Sequence, residues 1–293
     1  MRESLGDRAF NAVNMLVLVV VSVVTLFPLY YVFVVSFTEP GEFADKNGFV
    51  LLPGRWSISA YEYLLSTSAF IKATGVSAFL ATVGTLCSLI ITSAFSFGLS
   101  RKRLHGRKTM LFMVMFTILF NPGIIPLYLL VRDLGLINSI WSLIVPVLTS
   151  GWYVILMKSF FDSIPAELEE AAMIDGCNEL SIFVRIILPL SAASLAAFGL
   201  FYAVAYWNTF FSAVLYINDF TKVPLQIVLR NMLIDSDTAV GGASAVEMAS
   251  DKQLPTQTIK MAAVVVSTLP ILAVYPFLQK HFTKGVMLGS VKG

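Results

Sequence analysis

Residues 165–190 read PAELEEAAMIDGCNELSIFVRIILPL, and this stretch decides the fold. It lies between the fourth and fifth of six apolar segments and carries too much charge to cross hydrocarbon. Its spacing is nevertheless that of ordered helix. Pro165 suits a first helical turn, where its missing N–H costs nothing. Glu167, Glu169 and Glu170 set negative charge beside the positive end of the helix. Leu168, Ala171, Ala172 and Asp175 share one face at spacings of three, four and seven. Gly176 supplies the stop, because glycine takes the left-handed cap without strain. Asn178 caps a second helix, on which Phe183, Ile186, Ile187 and Leu190 form an apolar stripe. The stretch therefore predicts a short helix, a glycine turn and a second helix leading into a membrane.

Composition points the same way. The chain is 57% hydrophobic and 13% charged, with a mean hydropathy of +0.81, far from the average of soluble domains. Six apolar runs exceed the length needed to cross about 30 Å of hydrocarbon. The expected fold class is all-α: a polytopic membrane protein in one domain over residues 1–293. The spans fall at about 12–37, 70–100, 109–131, 139–161, 191–217 and 258–282, with the helical elbow in the loop 162–190. Pro28 predicts a kink in the first span. Ser93, Ser96 and Gly98 predict close helix approach in the second. The third contains Asn121-Pro122-Gly123 and Pro126, and the sixth Pro270 and Pro276. The first apolar run reaches Phe37 with no small-x-small site after it, so it reads as a retained span, not a cleaved signal.

Basic residues set the orientation. Arg101, Lys102, Arg103, Arg107 and Lys108 crowd one short connection, which reads as a cytoplasmic anchor. With that loop inside, both termini and the elbow fall inside too, and 12 of the 20 Lys and Arg residues lie on that side. Of the outer segments, Thr38–Ala69 reads as mostly irregular, with Pro40, Gly41, Pro53 and Gly54 as turn markers. In Asn218–Gln257, Leu225, Val228, Leu229, Met232 and Leu233 share a helical face, as in a helix lying in the membrane interface. The small polar stretch that follows, 236–254, reads as a loop.

Several chemistries are missing from the sequence. No GxxxxGK[ST] phosphate loop occurs, so any ATP is hydrolysed by another subunit. No GxSxG or HExxH is present. His105 and His281 lie far apart and no Cys/His cluster has metal-ligand spacing, so no cofactor or metal is expected in this chain. Cys87 and Cys177 imply no disulfide framework. A net charge of +2 is too small to suggest nucleic acid. The spans lack mid-membrane carboxylates, which argues against ion coupling.

Glu170-Ala171-Ala172, Asp175-Gly176, Phe183, Ile186 and Leu188-Pro189-Leu190 match, in order and spacing, the EAA loop of binding-protein-dependent ABC importer permeases, and the chain resembles that family over nearly its whole length. Cys177 and Ala193 depart from the commoner Ala and Pro without disturbing the elbow. The resemblance implies that Glu170, Ala171, Ala172, Asp175 and Gly176 couple the chain to a dimer of ATPase subunits, which bind ATP and Mg. It implies a second homologous permease subunit, an extracellular solute-binding protein and a bacterial cytoplasmic membrane. The tail GVMLGSVKG, residues 285–293, is most similar to that of oligosaccharide permeases. The loop 236–254 is, by resemblance, either a reach toward the binding protein or a spacer.

An oligosaccharide cargo would need hydroxyl-directed hydrogen bonds and aromatic stacking faces. Asn121, Tyr128, Trp152, Tyr153, Tyr206, Trp207 and Asn208 supply such groups within the spans, with Tyr202 beside them. The same residue types also serve as interface belts and interhelical hydrogen-bond partners, and the sequence leaves both readings open. Two other classes remain beside the importer: a membrane scaffold that grips a soluble partner through the elbow, and an ion-coupled secondary transporter.

Overall fold

The computed structural model describes residues 5–234 and 256–285, so the loop 236–254 and all of the tail beyond Gly285 lie outside it. Among the described residues the regular structure is helical, with one isolated bridge between Thr38 and Trp56. The chain divides into two compact units, Met1–Ile71 with Leu229–Leu269, and Lys72–Val228 with Pro270–Gly293.

The first unit opens with α1 (Leu5–Ser36), a single helix that continues through Pro28. Its apolar side chains from Phe10 to Phe33 are largely exposed, whereas Val34, Val35 and Ser36 in its last turn are buried. A helix that displays Leu, Val and Phe all round is made for a hydrocarbon surround. Thr38–Ala69 is not the irregular segment that its turn residues predict: it holds α2 (Pro40–Asp45) and α3 (Ser59–Ser66). Long-range polar bonds order it. Tyr31 Oη donates to the Gly48 carbonyl at 2.7 Å and Tyr30 Oη to that of Leu51 at 2.7 Å. Glu42 accepts from the backbone of Gly54 and Arg55 at 2.7 and 2.8 Å. The Gly and Pro signals fixed the turns but carry no record of these partners.

The second unit begins near the start of α4 (Ser68–Phe79), which passes through a π-helical turn (Leu80–Gly84) into α5 (Thr85–Ser100), together one apolar helix of span length. Three bent pairs follow. Helices α6 (Arg107–Leu119) and α7 (Ile124–Asp133) meet at 118° across Asn121-Pro122-Gly123. Two short 3-10 turns over Ile140–Val147 meet α8 (Gly151–Asp162) at 53°. Helices α10 (Glu179–Ile182) and α11 (Leu188–Leu190), joined through a π-turn at Phe183–Ile187, meet α12 (Ala192–Trp207) at 83°. Between α8 and α10 lies α9 (Ala166–Ile174). The unit continues with α13 (Phe211–Tyr216). Next, α14 (Leu225–Ile234) leads back into the first unit, and α15 (Thr256–Gly285) belongs partly to each. Among the described residues three helices are long and apolar enough to cross a membrane, or up to six when each bent pair is one span.

Polar rungs cross the apolar core of the second unit. Ser88 Oγ and Tyr206 Oη lie 2.9 Å apart, and Thr92 Oγ1 and Tyr202 Oη 2.7 Å. Ser96 Oγ donates to the Val154 carbonyl at 3.0 Å. Ser93 and Ser96 are buried as small interface residues, but nothing lies within 4 Å of a Cβ built on Gly98, so that glycine is not a contact point. Close approach occurs instead at Gly84, Gly151 and Gly199. Helix α14 also departs from expectation. Leu225, Ile227 and Leu229 are all buried and Leu225 N–H donates to Ser77 Oγ at 2.8 Å, so its first half is enclosed by protein. An interface helix would leave the Ile227 side open.

Candidate functional site

The elbow forms as its residues dictate, one position displaced at its start. Pro165 is the residue before α9, with φ −55° and ψ 131°, not its first turn. At the other end Asp175 is the C-cap. Gly176 follows with φ +83° and donates to the Met173 carbonyl at 3.0 Å, while Cys177 N–H donates to that of Ala172 at 2.9 Å. This pair of bonds is a Schellman cap, and its left-handed residue is why glycine stands there. Asn178 Oδ1 then accepts from Ser181 N–H at 2.8 Å and starts α10.

Helix α9 touches the rest of its unit through a narrow face. Ala172 is buried at 7% exposure and joins an apolar cluster with Phe97, Met157, Phe161, Ile182, Ile187 and Phe198. Leu168, Glu170, Ala171, Met173 and Asp175 are exposed, as is Ile174 at 87%. A nine-residue helix is marginal by itself in water. One buried alanine adds little burial energy, and most of the surface of this helix is open.

The basic connection is where the sequence reading falls short. Arg101, the C-cap of α5, makes an ion pair with Glu169 of α9. Its guanidinium also donates to Ser100 Oγ at 2.8 and 3.0 Å and lies 4.4 Å from the centre of the Phe97 ring. Arg103 pairs with Glu179 at the start of α10 and reaches Met173 Sδ at 3.3 Å. Arg107 Nε donates to the Leu99 carbonyl at 2.7 Å, which folds the connection back on α5. Part of this basic connection is thus a clasp on the elbow. The sequence signal was there, since Glu169 and Glu179 stand ten apart on either side of the turn, but it named no partners.

The neutral polar and aromatic residues of the spans separate into three settings. Tyr206 and Trp207 are buried, and Trp207 lines an apolar cleft with Ala81, Leu200, Ala203 and Val204. Tyr128 is half-buried and stacks on Tyr216 with ring centres 6.1 Å apart; Tyr153 is half-buried among Phe198, Phe201 and Tyr202. Asn121, Trp152 and Asn208 are exposed. Asn121 Oδ1 accepts from Gly123 N–H at 2.9 Å and shapes the break between α6 and α7. Asn208 caps α12, donating to Val204 at 2.9 Å and accepting from Gln226 at 3.3 Å. Of these residues Trp207 lines that apolar cleft. Among the described residues no three His, Cys, Asp or Glu side chains come together as metal ligands.

A nearly all-helical chain with several apolar helices and an exposed, C-capped polar helix fits the membrane component of a transport system. The chain belongs to the family of binding-protein-dependent transport system inner membrane components, whose model matches residues 84–288. It is 45% identical to the polygalacturonan/rhamnogalacturonan transport system permease protein YtcP of Bacillus subtilis, over 98% of this chain and 99% of that one. Protein LplC of the same organism is 44% identical over 100% of this chain and 98% of its own. Among solved structures, a bacterial ABC transporter involved in the import of the acidic polysaccharide alginate superimposes with a TM-score of 0.88. That match has 31% identity and covers 96% of this chain and 99% of the other. This is a permease family and not an enzyme family; ATP hydrolysis belongs to a separate subunit.

Proposed function

We propose that the chain is one of two permease subunits of an ATP-driven importer of oligosaccharides, with uronate-rich plant or algal fragments as the first cargo to test. Names of relatives support the cargo: polygalacturonan in one and alginate in the other. In this reading each bent pair is one span, giving six at about the residues stated above, with both termini and the elbow in the bacterial cytoplasm. An ATPase dimer holding ATP and Mg grips the elbow, and an extracellular binding protein delivers the saccharide. A second permease completes the path, because one elbow fills one of two ATPase clefts.

A single observation carries the coupling role. Helix α9 is closed at its C-terminal end by the Gly176 cap yet leaves Glu170, Ala171 and Asp175 exposed. Glu170 offers a carboxylate to basic groups, Ala171 allows close approach beside the buried Ala172, and Asp175 with Gly176 ends the lever. For the path, exposed Asn121, Trp152 and Asn208 offer polar and stacking groups to cargo or to the second permease. Tyr128, Tyr153, Tyr206 and Trp207 line or back that route.

The test is saccharide-stimulated ATPase activity of the reconstituted complex, with Glu170→Ala and Gly176→Pro beside the parent. Gly176→Pro removes the donor to Met173 and cannot adopt φ +83°. Stimulation should collapse in both while the subunit still reaches the membrane. Parent-like ATPase and uptake in both variants would overturn the coupling role of the elbow.

A further inference from the structure

We infer that the connection from Arg101 to Arg107 is a second transmission arm, which carries motion of α9 directly into α5, with Arg101 and Glu169 as its positioning residues. The inference rests on the importer reading and adds a route that the elbow itself does not contain.

A lever held at one point swings about it, and α9 has only one apolar foothold, Ala172. Glu169, three residues earlier, lies on the same face and supplies the second point through Arg101. Both side chains of that pair are sheltered, at 12% exposure for Arg101 and 14% for Glu169. Sheltered charges that lose a partner are poorly hydrated, so the pair resists separation far more than an exposed one. Arg101 is itself immobilised by Ser100 and by the Phe97 ring, and all three residues lie at the end of α5. Displacement of Glu169 therefore pulls on the end of α5. That helix is bonded to α12 through Ser88–Tyr206 and Thr92–Tyr202, and to α8 through Ser96–Val154. The covalent route from α9 runs through the Gly176 turn, α10 and the π-turn before it reaches α12. The two arms meet at the polar rungs, so α12 receives the stroke from both sides. Arg103–Glu179 keeps the start of α10 in register with the same connection.

The experiment uses the whole complex, with ATPase subunits, the second permease and the binding protein, in proteoliposomes. Arg101→Ala, Glu169→Gln and the double variant are compared with the parent by two readouts. The first is the ATP-induced change in amide hydrogen exchange over residues 85–100. The second is oligogalacturonide moved per ATP hydrolysed. Each single variant should lose the exchange response and about tenfold in transport per ATP, within the usual range of coupling between sites. The double variant should be no worse than either single, because the pair acts as one unit. Co-purification of the ATPase subunits should be unchanged. An intact exchange response, additive losses in the double variant, or loss of ATPase co-purification in Glu169→Gln would each overturn the inference. If Arg101→Ala fails to reach the membrane, Glu169→Gln decides alone. The exchange readout needs no saccharide, so a parent complex that ignores oligogalacturonide sinks the cargo reading and leaves the clasp to be judged separately.

Discussion

Gly84 and Tyr206 are in direct contact across the second unit: a Cβ placed on Gly84 would lie 2.8 Å from the Tyr206 ring. The π-turn at Leu80–Gly84 and the start of α5 can approach α12 this closely because position 84 has no side chain. The same tyrosine ends in a hydrogen bond to Ser88, one turn further on. Its ring and its hydroxyl therefore fix the spacing and the register of one helix pair.

Gly84→Ala should consequently destabilise the subunit by about 1–3 kcal/mol, the usual cost of overpacking a filled core. Tyr206→Phe keeps the ring and loses the hydroxyl, leaving Ser88 buried without that partner, and should cost about 1 kcal/mol. Thermal unfolding of the purified subunit in detergent checks both. The outcome that contradicts this packing is a Gly84→Ala variant as stable as the parent.

The glycines of the spans should rank by what each one faces. A Cβ on Gly151 meets the Val114 carbonyl at 2.8 Å, a backbone atom that cannot rotate away. On Gly199 it meets the tip of Leu89 at 3.1 Å, which can yield, and on Gly98 it meets nothing within 4 Å. Alanine should thus cost most at Gly151 and less at Gly199. At Gly98 it should be neutral or stabilising by up to about 1 kcal/mol through helix propensity. Expression and thermal stability of the three variants give the order, and any other order contradicts the helix contacts described.

That ranking also marks where sequence reading stops. The elbow was legible because caps are local: Gly176 and Asn178 act on neighbours within five residues, so their chemistry is written beside them. The apolar segments were legible because a bilayer demands length. Helix contacts were not, since Gly98 and Gly151 look alike in sequence and only tertiary packing tells them apart. The clasp was missed for the same reason: Arg101 and Glu169 are 68 positions apart, and a cluster of basic residues looks the same whether it faces lipid or a carboxylate. Bends were half legible. Asn121-Pro122-Gly123 announces a break by three turn-forming residues in a row, whereas the 83° corner before Ala192 is marked only by Pro189, which does not foretell so sharp an angle.

Asn138 offers a compact test of a second joint. It adopts φ +62°, and its Oδ1 accepts from Asn218 and Asp219 N–H at 3.2 and 2.9 Å while its own N–H donates to the Tyr216 carbonyl at 2.7 Å. Asparagine is suited to both tasks, since it tolerates the left-handed region and carries an acceptor. Asn138→Asp keeps both properties and should be nearly neutral. Asn138→Gly keeps only the backbone freedom and should cost about 1 kcal/mol, and Asn138→Ala loses both and should cost about 2–3 kcal/mol. Protease resistance of the 134–140 and 217–224 loops, measured together, distinguishes the three.

The segment between α1 and α3 should loosen in acid through Glu42. Lys46, then the backbone N–H groups of Gly54 and Arg55, hold its carboxyl at a pKa of about 2, below the usual carboxylate value of 4.5. A folded-state pKa lowered in this way stabilises the segment above about pH 4.5, and that contribution is lost as pH falls toward 2. The neighbouring Glu39–Arg55 pair, 3.4 Å apart and exposed, changes little of this because water screens it. Glu42→Gln has no such charge at any pH, so its loop at pH 6 should exchange amide protons at Gly54 and Arg55 as fast as the parent's does in acid. Hydrogen exchange of residues 38–58 between pH 6 and pH 3, corrected for intrinsic rates, is the measurement. Parent and Glu42→Gln profiles that fall in parallel would show that some other group closes this loop.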